Sequence, residues 1–160
     1  MIEAFRIVRA AVERELWSGV GGLHVDGRWH SRGRRIVYTS QSLSLAQLEV
    51  LVHITDRQQM PPLVYSTVVI SDGVRVGSVE PEDLPAAWRQ FSPYSATTQL
   101  IGTRWLTEAK SAVLKVPSAI SEHEWNYLLN PVHPDFGQLR FAAPMPFAMD
   151  PRVPAVPETG

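Results

Sequence analysis

The sequence has no cysteine, which excludes disulfides, thiolate metal sites and a cysteine nucleophile. It is poor in lysine: of its 15 basic residues only Lys110 and Lys115 are not arginine. It lacks an excess of either charge, since 16 acidic residues leave a formal net charge of −1. That balance argues against direct, general nucleic-acid binding. No apolar run is long enough to span a bilayer, and the opening MIEAFRIVRAAVERE is too charged for a signal peptide. No membrane association and a cytoplasmic location are therefore expected. Three motifs are also missing. No Gly-x-Gly-x-x-Gly follows a strand, no phosphate-binding Gly-x-x-x-x-Gly-Lys occurs, and no Gly-x-Ser-x-Gly elbow surrounds a serine.

What is present reads as one α+β domain. With 160 residues, 44% hydrophobic and 19% charged, the chain is long enough to bury a core without staples. Strands are expected at 2–8, 36–39, 63–70, 74–79, 111–116 and 138–142, from β-branched or alternating apolar runs bounded by turn residues. Helices are expected from Ser42 or Ser44 to about Ile54, over 81–90 and over 95–110. The segment 122–129 fits either a helical turn or an irregular strand. Strands and helices do not alternate regularly, which favours a mixed or antiparallel sheet with flanking helices over a doubly wound one. The domain is placed at 1–142. The proline-rich tail 143–160 is expected to lie extended on the surface or to be disordered.

Glu49 is the most informative residue. The helix around it is apolar on almost every side, and Glu49 falls on the same side as Leu45, Leu48 and Val52. A carboxylate there is costly unless it is paired or faces a cleft. His53 follows one turn later, yet the other histidines, His24, His30, His123 and His133, follow no metal-binding spacing. No metal is expected, and a hydrolase metal site on Glu49 and His53 is the less favoured reading. Between Ser18 and Arg35 lie five glycines, with Arg28, Arg32, Arg34 and Arg35 among them. Such a stretch fits either a solvated, charged hairpin edge or a backbone and guanidinium cradle for a pyrophosphate. Tyr38 is either a half-buried strand residue or a ring for stacking an aromatic ligand. Ser118 is either a turn serine or a ligand hydroxyl, and Arg6 either a paired core-edge arginine or an anion ligand.

Several segments together resemble the RES domain, the toxin of RES–Xre toxin–antitoxin pairs. They are Phe5-Arg6-Ile7, Gly27-Arg28-Trp29-His30, Ile36 to Thr39, Ser42 to Ala46, Leu48 to His53, Thr98-Gln99, Gly102, Trp105-Leu106, Val116 to Ala119, and Asn126 to Pro131 with His133-Pro134. The resemblance runs from Phe5 to about Phe141. Its eponymous Arg, Glu and Ser correspond to Arg28, Glu49 and Ser118. One departure stands out: His30 occupies a position where the family usually has asparagine. The resemblance implies an ADP-ribosyltransferase-like fold and NAD as a substrate rather than a bound cofactor. It implies cleavage of the nicotinamide–ribose bond, with ADP-ribose passing to water, phosphate or a protein target. Glu49, Arg28, Tyr38 and Ser118 are then the catalytic set. Arg6, Arg28, Trp29 and Tyr38 are the NAD-binding set. The implied partner is a helical antitoxin with an Xre-like DNA-binding domain. A catalytically inactive antitoxin-binding module of the same fold is the alternative.

Overall fold

The computed structural model describes residues 1–54 and 60–153. An eight-stranded mixed sheet carries the fold. Its longest strands are β1 (Ile2–Arg9) and β3 (Leu63–Ile70), which pair antiparallel along their whole length, from Ile2↔Ile70 to Arg9↔Leu63. The others are β2 (Val37–Ser40), β4 (Val76–Ser78), β5 (Val113–Pro117), β6 (Trp125–Leu129), β7 (Arg140–Phe141) and β8 (Met145–Phe147). The order is β4-β5-β6-β2-β1-β3-β7, with β8 also on β3, and among the described residues only β4 and β5 run parallel. The expected α+β domain with a mixed sheet and flanking helices is what forms.

Register decides what each face carries, because paired residues share a face and neighbours along a strand alternate. One face holds Ala4, Val37, Val68, Val113 and Leu129, which form the largest core cluster. On the opposite face lie Phe5, Ile7, Tyr38, Ser40, Leu114, Val116, Asn126 and Leu128. Helix α1 (Leu43–His53) covers Phe5 and Ile7. It starts where the Ser42 side chain accepts from the Leu45 amide at 3.1 Å. Helix α2 (Ala96–Glu108) covers Leu114, Val116 and Leu128 through Trp105 and Leu106. Tyr38, Ser40 and Asn126 lie between the two helix-covered regions, so polar and aromatic groups floor the gap.

Two expectations change. The segment 81–90 forms only a 3₁₀ turn at Pro81–Asp83 followed by turns. Its prolines at 81 and 85 leave too few amides for a helical ladder. Trp88 there is buried against Trp29, with ring centroids 6.0 Å apart. The ambiguous segment 122–129 is strand β6. Beyond residue 142 the chain continues into the sheet as β8, and Phe147 and Met149 pack against the cluster under α1. The boundary at 142 therefore cuts through a packed unit. Residues 154–160 of the expected tail lie outside the described residues.

Gly102 fixes how closely α2 approaches the glycine-rich segment, since an added Cβ would lie 1.6 Å from the Trp29 carbonyl oxygen. Gly73 has open space around it. Gly102→Ala is expected to destabilise the protein by about 2 kcal/mol or more through overpacking against backbone. Gly73→Ala should be near neutral, with urea unfolding of both variants as the check.

Candidate active site

β1 and β2 pair only at Phe5↔Ser40 and then part. Arg6 sits in the split, where its Nη1 donates to the Tyr38 carbonyl at 2.8 Å in place of the missing ladder bond. Above the split, on the helix-covered face, opens a cleft of about 880 Å³. A recess of about 370 Å³ shares Arg6, Tyr38, Glu49, His53 and Asn126 with it. The cleft is within the size range of small-molecule sites. Its walls are α1, the glycine-rich segment 21–30, the segment 89–94 and the turn at Ala119 and Ile120.

Glu49 projects from α1 into the cleft, half-buried. Its Oε1 accepts from the Asn126 amide at 2.8 Å. Burial pushes its carboxyl above the usual range, and the opposing pulls of Asn126, His53 and Arg28 are smaller. The helix is not buried all round as its sequence suggests. Leu45, Ala46 and Leu51 are buried, but Leu48 is exposed and Val52 is 56% exposed at the cleft mouth. The apolar side that carries Glu49 is thus partly a cleft wall, which is why a carboxylate is tolerated there.

Arg28 enters from the glycine-rich segment. Its Nη1 donates to the carbonyls of Trp88 and Gln90, at 2.9 and 2.8 Å, tying the far wall to the loop. Nε and Nη2 make no hydrogen bond among the described residues. The guanidinium lies 5.2 Å from the Tyr94 ring. Burial lowers its pKa, while Tyr94, Glu49 and Tyr38 favour the charge. Arg6 is lowered by burial to about 10, so it stays protonated at neutral pH. Its Nε has no hydrogen-bond partner among the described residues. Arg32, Arg34 and Arg35 are exposed and outside the cleft lining.

Tyr38 forms the floor, with its hydroxyl held rather than free. It accepts from the Trp29 amide at 3.2 Å and lies 2.7 Å from His30 Nδ1. Burial raises its pKa strongly, so the phenol is neutral. The glycine-rich wall is itself anchored by α2, where Gln99 donates to the Gly27 carbonyl and Thr103 accepts from the Ser31 amide.

The structure brings Arg6, Arg28, Tyr38 and Glu49 together but treats two expected residues differently. Trp29 is among the residues lining the cleft, but it is 1% exposed and its ring packs in the core with Trp88. Ser118 is buried and absent from the cleft lining. Its Oγ accepts from the amides of Ile120 and Ser121, shaping the turn that brings Ala119 and Ile120 to the cleft. Asn126, which sequence reasoning did not single out as a site residue, lines the cleft and holds Glu49. An asparagine inside an apolar strand, Trp125 to Leu129, is the signal that could have found it. Glu49 and His53 gather no third ligand: among the described residues no group of three or more His, Asp or Glu is placed to hold a metal. No helix among them is long and apolar enough to cross a membrane.

Glu49→Gln keeps an acceptor for Asn126 and removes the buried charge. Because the folded carboxyl titrates above its unfolded value, the folded state binds more protons in that window, and wild-type stability rises as pH falls through it. Glu49→Gln is expected to unfold at a higher urea concentration than wild type at pH 7, with the difference closing as pH falls towards 4.5. Urea titrations at several pH values check this.

The chain is 39% identical over 150 residues to the Toxin Res of Yersinia enterocolitica serotype O:8 / biotype 1B, covering 93% of this chain and 97% of that protein. It is 31% identical over 138 residues to the Prs ADP-ribosylating toxin of a Sphingobium species (strain YBL2), covering 85% of each. Among solved structures, the M. tuberculosis MbcT–MbcA toxin–antitoxin complex contains a chain of the same fold. Its TM-score is 0.73 at 16% identity, over 91% of this chain and 84% of that one. The RES domain family model matches residues 3–150. With nearly the whole chain matched, this protein belongs to the RES domain family.

Proposed function

We propose that this chain is the toxin of a toxin–antitoxin pair and that its cleft binds NAD and breaks the nicotinamide–ribose bond. The observation that carries this is Glu49. It is a carboxylate sunk in a small-molecule cleft, held by one amide and faced by the Arg28 guanidinium. The relatives named Toxin Res and Prs ADP-ribosylating toxin support it.

The chemistry suits these groups. Nicotinamide is cationic in NAD, takes the electron pair of the breaking bond and leaves neutral, so no strong acid is needed. The ribose left behind resembles an oxocarbenium ion, as in glycoside cleavage. Glu49 in its ionised form stabilises that charge, directly or through a ribose hydroxyl. Arg28, through Nε and Nη2, holds the pyrophosphate by charge-assisted hydrogen bonds, and Arg6 adds positive charge at the base of the cleft. Tyr38 supports the nicotinamide ring. Ser118 acts indirectly, by shaping the turn at 118–121. ADP-ribose then passes to water, phosphate or a protein side chain, which forms the new bond to ribose and loses its proton.

The cleft rim also fits a partner. Leu48, Val52, Phe91 and Ile120 are exposed apolar residues, and the last three line the cleft. A helical antitoxin, with DNA contact delegated to an Xre-like domain of its own, would cover them and close the cleft.

Purified wild type is expected to consume NAD and release nicotinamide. Glu49→Gln should be slower by about 100-fold or more while remaining folded. Time courses with mass identification of products, with and without phosphate and cell extract, check this and name the acceptor. Undiminished turnover by Glu49→Gln would remove Glu49 from the reaction. No turnover by folded, antitoxin-free wild type would favour an inactive antitoxin-binding module.

Arg28→Ala is expected to raise KM for NAD about tenfold or more, from loss of charge-assisted bonds and of the tie to segment 88–90. Steady-state kinetics decide it, unchanged KM being the contrary result.

A further inference from the structure

Hydrogen-bond polarity around His30 is determined link by link. The Trp29 amide can only donate, so the Tyr38 oxygen accepts there at 3.2 Å and directs its own proton elsewhere. His30 Nε2 lies 3.0 Å from the Val25 carbonyl, which can only accept, so Nε2 carries the ring proton. In the neutral ring Nδ1, 2.7 Å from the Tyr38 hydroxyl, is then the acceptor of the Tyr38 proton. The imidazole is 2% exposed. Glycines surround it: a Cβ at Gly27 would lie 2.7 Å from the ring and 2.6 Å from the Tyr38 hydroxyl oxygen. One at Gly22 would lie 2.4 Å from the Arg34 carbonyl oxygen and 3.3 Å from Nε2. Gly27 is therefore small because this ring and the Tyr38 hydroxyl fill the space, while Gly22 is kept small first by the Arg34 carbonyl and the Ile36 side chain.

We propose that His30, as the neutral Nε2–H tautomer, is a positioning residue that latches the cleft floor at Tyr38 to the glycine-rich wall at Val25. It acts through Tyr38 on one side and through the loop carrying Arg28 on the other, and it touches no substrate. Protonation would put a donor on Nδ1, leaving the Tyr38 hydroxyl to face two N–H groups with its own proton unpartnered. The titratable groups facing the ring are Asp26 from its own loop and Tyr38 from β2. Burial is the larger influence and favours the neutral ring. The kinetic consequences rest on the reading of the cleft as an NAD site; the latch itself does not.

Two substitutions separate its two bonds. An asparagine amide oxygen reaches the place of Nδ1, so His30→Asn keeps the acceptor for Tyr38 and loses the bond to Val25. A glutamine amide nitrogen reaches the place of Nε2, so His30→Gln keeps the bond to Val25 and strands the Tyr38 hydroxyl. His30→Asn is expected to raise KM for NAD about fivefold with little change in kcat, and His30→Gln to lower kcat about tenfold, as single lost hydrogen bonds allow. Amide hydrogen exchange over 22–30 should speed up in His30→Asn and stay near wild type in His30→Gln. Nitrogen NMR of full-length wild type should show the Nε2–H tautomer at pH 7. A protonated or Nδ1–H ring, or equal effects of both substitutions on loop exchange, would overturn the latch. If wild type cleaves no NAD, the functional reading fails alone, and the tautomer and exchange results still decide this one.

Discussion

β1 and β2 share one register position and then part, and that split governs where polar groups are placed. A continuous sheet would have paired the Tyr38 carbonyl with backbone and left no opening. Instead the Arg6 guanidinium takes that carbonyl, and the space above it becomes a cleft and adjoining recess floored by Tyr38 and Asn126, with Ser40 in the recess. Each groups with the other by strand alternation, not by proximity in sequence. α1 closes one side and lowers Glu49 onto Asn126. The glycine-rich segment closes another and brings Arg28 to the opposite wall.

The cost of this arrangement is visible in its charges. Glu49 is held by one amide while burial disfavours its ionised form. Arg6 and Arg28 also lose solvation, and Arg28 is compensated by carbonyls and aromatic faces rather than by a carboxylate at bonding distance. Groups that hydrophobic packing alone would eliminate are gathered in this one cleft. Val52 and Phe91, 56% and 75% exposed at the mouth, show the same compromise in apolar form.

Much of the fold was legible because its signals are local. The apolar run 63–70, the serine before α1 and the proline stops define elements that the structure reproduces within a residue or two. The segment 81–90 was misread because its composition suits a helix while its prolines forbid one. Glu49 was legible as a carboxylate on an apolar helix side. Arg28, Tyr38 and Ser118 needed the family resemblance to be singled out from bland alternatives. For Trp29 and Ser118 position-matching does not give the placement: the Trp29 ring is turned into the core and the Ser118 hydroxyl into its own turn. Asn126 and the His30 latch depend on contacts across 77 and 8 residues of chain, and only the folded register exposes them.

The most direct test of the central claim is a crystal structure of Glu49→Gln soaked or grown with NAD, since this substitution preserves the bond to Asn126 and should trap intact substrate. The account predicts the nicotinamide-bearing ribose within hydrogen-bond reach of the residue 49 carboxamide, the nicotinamide ring over Tyr38 and the pyrophosphate at Arg28. NAD bound elsewhere, or in the cleft with that ribose turned away from residue 49, would contradict it.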